Sequence, residues 1–139
     1  MNAGDERLRD ALAGEHAAIY GYGVLGAHLT GSALQLARDA EAAHRERRDA
    51  LLVRLTSTSA TPPAAQPAYD LPFPVTDAAS AMKLATELEE RTGVLWRVAI
   101  PDTTGDQRKT CLDALTDCAL RAARWRRAAG QQVGTVPLP

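Results

Sequence analysis

Three glutamates of this chain stand where helical spacing asks for apolar residues. Glu15, Glu41 and Glu89 each fall on the apolar stripe of a different long helical segment, and His44 follows Glu41 by three positions. A buried carboxylate is costly unless paired, so it needs a cation, a shared proton or a hydrogen-bond network. A Glu-x-x-His pair on one helical face can also aim a carboxylate and an imidazole at a single point. Metal binding, proton sharing and a closed polar core are therefore the chemistries open to these residues.

Placed at about 100° per residue, Glu15 lies in the middle of the stripe formed by Leu8, Leu12, Ile19 and Tyr22. Tyr22 reads as a core aromatic whose hydroxyl needs a buried partner. Glu41 projects between Leu34 and Leu52, and Arg48, one turn beyond His44, projects onto the same inward face. Glu89 is flanked by Met82, Ala85 and Trp96, whereas Glu87 and Glu90 point to solvent. Arg48 can offset one of the three acids. The remaining charge calls for a proton, a protonated His44 or a bound cation.

The elements that position these residues are four helices. Apolar spacing predicts the first over about residues 5–29, stopped at Thr30-Gly31, and the second over 32–56, with Ser32 and Gln35 as a capping box. Residues 57–75 hold five prolines and no helical period, so they form an extended crossover long enough to run the length of a helix. Within it, Tyr69, Leu71 and Phe73 alternate and would pin the strap to the bundle. A third helix is expected over 76–100, capped by Thr76 and ended by Pro101, and a fourth over 105–129, with Thr104 and Gln107 as a capping box. The tail, 130–139, is expected to be loosely ordered or strapped across the bundle. A single all-α domain spanning 1–139, built as two antiparallel hairpins joined by one long crossover, follows.

Composition agrees and excludes several functions. Of 139 residues 45% are hydrophobic but only 4% aromatic, an alanine-rich balance that suits closely packed helices. A formal net charge of -1 supplies no global field for nucleic acid or an anionic membrane. No apolar run reaches the roughly 20 residues of a membrane span. The polar start MNAGDERLRD does not read as a secretory signal, which points to the cytoplasm. Cys111 and Cys118, seven positions apart on one helix, cannot pair with each other and read as small core residues.

No nucleophile elbow, Ser-His-Asp or Cys-His arrangement is present. His16 and His28 project away from Glu15 and are expected at the boundary or surface. Arg45, Arg47, Arg121, Arg124, Arg126 and Arg127 could form a basic patch, but read first as a solvated face paired with neighbouring acids. Gly21, Gly23 and Gly26 lack phosphate-loop spacing and point to close backbone approach, of another helix or of a second subunit in a homodimer through the first helix.

The segments EHAAIYGYG, AEAAHRERRDALL and LATELEERTGVLWR, with the central Pro-rich strap, resemble the ferritin-like carboxylate bundles, and within them a small Ala-rich bacterial family of unassigned function. That resemblance implies a ferritin-like four-helix bundle with Glu15, Glu41, His44 and Glu89 as candidate metal ligands, an oxygen-rich set suited to iron or manganese. The di-iron pattern needs a second Glu-x-x-His on the fourth helix. There, Asp113 and Asp117 are followed three residues later by Thr116 and Leu120. The leading expectation is therefore a non-enzymatic structural or partner-binding bundle with a degenerate site, no cofactor, and Arg48 and Tyr22 in a polar core network. The alternative is an iron- or manganese-binding oxidoreductase or iron-handling protein with a reduced ligand set. A third is a small-ligand site between Tyr22, Glu89 and Trp96.

Overall fold

Four helices carry the chain in the computed structural model, which describes residues 2–58 and 60–130. The first, α1 (Ala3–Gly26), starts earlier than its apolar stripe because the Asn2 side chain accepts from the Asp5 amide at 2.8 Å. The second, α2 (Gly31–Ser57), is entered through Gly31 at φ 60, a left-handed conformation that favours glycine. Its N-cap is Thr30, so the Ser32–Gln35 capping box does not form. The third, α3 (Ala78–Ala99), is capped by Asp77 and not Thr76, in a reciprocal box with Ser80. A short 3-10 turn, Ile100–Asp102, leads through Gly105 at φ 54 into α4 (Gly105–Ala128), where Thr104 is the N-cap without a side-chain bond and the Gln107 box is absent. The expected tail lies outside the described residues beyond Gly130.

Along every helix the buried positions switch from one apolar cluster to a second. Leu8 and Leu12 of α1, Leu51 and Leu55 of α2, Trp96 and Ala99 of α3, and Cys111 and Cys118 of α4 share the first. Tyr22 and Leu25, Ala37 and Ala40, Leu84 and Ala85, and Trp125 share the second. Between them in sequence on the first three helices stand Glu15, His44 and Glu89, all fully buried. The bundle is thus two apolar layers with one polar layer between them, at the same height on α1, α2 and α3.

Packing is uneven around the bundle. Backbones of α1 and α2, α1 and α3, and α3 and α4 approach closely, whereas α2 and α4 do not. Small residues allow the close pairs: a Cβ on Gly21 would stand 2.6 Å from Leu88 Cδ1, so α3 occupies the space this glycine leaves. The strap lies over α1 and α3. His16, expected at the boundary, is buried and its Nε2 lies 3.1 Å from the Pro63 carbonyl. The Tyr69 ring packs 5.7 Å from Tyr20, while Leu71 and Phe73 cover the second cluster, as their alternation predicts. Among the described residues no helix is long and apolar enough to cross a membrane.

Candidate functional site

The polar layer is built around His44, and both of its ring nitrogens face carboxylates. Nδ1 lies 2.5 Å from Glu15 Oε2, and Nε2 lies 2.9 Å from Glu89 Oε2 and 3.1 Å from Oε1. Neutral imidazole has one N–H, so two carboxylates on opposite ring edges favour the doubly protonated imidazolium, which donates to each. Burial works against that charge, but the hydrogen bonds and the fields of Glu15 and Glu89 outweigh it. They raise the His44 pKa from 6.5 to about 9.

The remaining carboxylate oxygens are also engaged. Trp96 Nε1 donates to Glu15 Oε1 at 2.8 Å, and the Tyr22 hydroxyl donates to Glu89 Oε2 at 2.5 Å. Trp125 Nε1 in turn donates to the Tyr22 hydroxyl at 2.9 Å. Burial and the adjacent Glu89 push the Tyr22 pKa up, so the phenol keeps its proton and remains a donor. The result is one chain of hydrogen bonds, Trp125, Tyr22, Glu89, His44, Glu15, Trp96, that threads all four helices. Both indoles read as apolar in the sequence; the available signal was that a buried indole N–H needs an acceptor.

Arg47 closes this chain toward solvent. Its Nη1 lies 3.5 Å from Glu15 Oε1 and its Nη2 pairs with Asp117 of α4, which also accepts from Arg121 Nε at 2.9 Å. Burial disfavours the Arg47 charge, but the field of Glu15 and the field and hydrogen bond of Asp117 more than restore it. Asp117 is opposed by burial yet held below the ordinary carboxylate range by Arg121 and Arg47. Cys111 and Cys118 are free buried thiols, and burial followed by Glu89 drives the Cys118 thiol far above its ordinary value. Glu15, Glu89 and Asp117 against His44, Arg47 and Arg121 leaves three negatives and three positives, so the network is neutral.

Two expected members lie elsewhere. Glu41 does not point inward: its carboxylate accepts from Arg45 Nη2 at 2.7 Å, one turn along the same helix at the surface. Arg48 turns outward too, with Nε 2.9 Å from Asp49 Oδ1. The physical cause is the rotation of α2. Its buried arc is set by Ala37, Ala40, His44, Leu51 and Leu55, while Leu34 and Leu52 are only half-buried at its edge. Centring the face on those two leucines brings in Glu41 and Arg48; the actual rotation brings Arg47 to the other edge. Tyr22, Glu89 and Trp96 do not enclose a ligand, because Tyr22 bonds Glu89 directly and Trp96 bonds Glu15. The basic residues largely pair with acids as expected: Arg45 with Glu41, Arg47 and Arg121 with Asp117, Arg126 with Glu90.

These residues do not fit a two-metal carboxylate centre. Such a centre in a helical bundle takes glutamates and two Glu-x-x-His pairs from facing helices. Here Glu41 is outside, Thr116 and Leu120 of α4 are exposed, and Asp117 is committed to two arginines. Each edge of His44 abuts a different carboxylate, which leaves no common point at which all three groups meet a cation. Among the described residues no three His, Cys, Asp or Glu side chains are grouped so as to hold a metal ion.

Comparison with known proteins places the chain. The sequence profile of a domain of unknown function, DUF4439, matches residues 7–139. The chain belongs to the DUF4439 family. A solved structure of similar shape, the conserved hypothetical protein rv2844 of Mycobacterium tuberculosis, is 39% identical to this DUF4439 chain over 99% of it and 98% of its own length, with a TM-score of 0.89. A ferritin-like, diiron-carboxylate protein of Bacillus anthracis str. Ames is 16% identical over 93% of this chain and 99% of its own, with a TM-score of 0.78. At that identity the likeness shows the fold, and the DUF4439 domain is accordingly a ferritin-like bundle. No protein of curated function matches the chain.

Proposed function

We propose that this DUF4439 domain is a non-enzymatic ferritin-like module that serves a structural or partner-binding role, with a buried imidazolium in the bundle core, the place where carboxylate bundles can hold metal. The observation that carries this reading is His44, held by both ring nitrogens between Glu15 and Glu89. A protonated ring supplies one positive charge and two directed donors, and Arg47 supplies the rest, so the layer is satisfied by the chain's own groups. Polar layers of this kind fix helix register: a slip of α2 by one position would unpair both carboxylates at once.

Convergence of Glu15, His44 and Glu89 from three helices supports a second reading, a single iron or manganese ion held by these three after His44 rotates. Elemental analysis separates the two, on protein purified without chelator or affinity metal after growth with both metals supplied. Absence of stoichiometric metal, with a melting temperature unmoved by chelator, is expected. Stoichiometric iron or manganese that is lost in His44→Ala would replace the first reading with the second.

A further inference from the structure

The seam between α2 and α4 is bridged by side chains and not by packed backbone. At one end Arg47 reaches Asp117. At the other, with the Gln107 amide turned so that its oxygen faces the guanidinium, that oxygen accepts from Arg54 Nε at 2.7 Å. Between the two bridges lies a cavity of about 250 Å³ that reaches down to Leu8, Leu51 and Trp96. All three belong to the first apolar cluster and are buried, yet the groups above them, Ala50 and Thr110, are too short to fill the seam. Ala50, Thr110 and Arg47 also line an adjoining groove of about 370 Å³ that continues toward Arg121. Protein interiors normally pack without such gaps, and an apolar floor open between polar walls is the common form of a small-molecule site.

The two arginines at this cavity are not equivalent. Arg47 is neutralised by Glu15 and Asp117. Asp106 also lines the cavity but is not at ion-pair distance from Arg54, whose partner across the seam is a neutral amide. A guanidinium binds a carboxylate more strongly than a neutral amide, and can do so through two parallel bonds. We propose that the α2–α4 seam binds a small amphipathic carboxylate, its apolar chain against Leu8, Leu51 and Trp96 and its carboxylate on Arg54 in place of Gln107. The site shares Arg47 and Trp96 with the polar layer, but its charged contact is Arg54, which takes no part in that layer, so the proposal does not depend on whether the layer binds metal.

Trp96 on the cavity floor provides the readout, because Trp125 lies in the other apolar cluster. Titration of the protein with ω-bromooctanoate, whose terminal bromine quenches an adjacent indole, is expected to give partial, saturable loss of tryptophan emission. Loss of the charged contact in Arg54→Gln weakens the apparent Kd by about tenfold. Ala50→Phe, at an exposed position that leaves the core alone, fills the cavity mouth and abolishes saturation. The uncharged ω-bromooctanol should bind at least tenfold more weakly. Quenching that does not saturate, equal affinity for the alcohol, or unchanged affinity in either variant with native helicity overturns the proposal.

Discussion

Removal of His44 tests the polar layer most directly. In His44→Ala the carboxylates of Glu15 and Glu89 lose the charge between them while their other partners, Trp96 and Tyr22, remain. Breaking a buried pair by deleting one partner costs about 3–5 kcal/mol. Titration gives a second route to the same magnitude. The His44 pKa moves from 6.5 unfolded to about 9 folded, which at about 1.4 kcal/mol per pH unit is about 3 kcal/mol. Because the folded value is raised, this stability is fully present below pH 6.5 and is lost as pH rises through about 9. The assay is urea unfolding of wild type and His44→Ala at closely spaced pH values across that window. Wild type should lose about 3 kcal/mol more than the variant between its ends, with the gap between the two proteins widest at the acid end. A difference below about 1 kcal/mol at pH 6.5, or parallel pH profiles, would refute the imidazolium assignment.

Four further outcomes follow. Glu41→Ala removes a surface pair with Arg45 and should cost no more than about 0.5 kcal/mol in urea unfolding, against several-fold more for Glu15→Ala, whose carboxylate is buried. Arg47→Ala strips Asp117 and Glu15 of a partner and should cost about 2–3 kcal/mol. Because the folded Asp117 pKa is depressed below 3.8, its stabilisation is present above that value and lost as pH falls through the folded one. The variant's acid unfolding transition should therefore begin at higher pH than that of wild type. Gly23→Ala adds a methyl with nothing within 4 Å and should stabilise α1 by about 0.5–1 kcal/mol. Sedimentation over a concentration series checks the expected dimer through this helix: Gly23→Leu should weaken it, and monomer at every concentration of wild type would remove it.

Sequence by itself determined the four helices and the Pro-rich crossover, because each rests on local signals: apolar periodicity, prolines and stop residues; the ferritin-like fold was implied by the resemblance of three helical segments and the strap to that family. It also determined the burial of Glu15 and Glu89, since each stands at the centre of a stripe whose neighbours agree on one direction. What only the tertiary structure decided is the rotation of α2. Alanines and leucines share that helix, and a small residue marks the tightest contact as readily as a large one. Leu34 and Leu52 therefore drew the inferred face toward Glu41 and Arg48, while close packing against α1 set it on Ala37, Ala40, Leu51 and Leu55. That turn, about 80° by helical projection, left Glu41 at the surface and brought Arg47 within reach of Glu15, while Arg48 pairs with Asp49. Which nitrogen of His44 meets which carboxylate, and that two indoles complete the layer, depends on helices brought together from distant parts of the chain, and no local spacing encodes it.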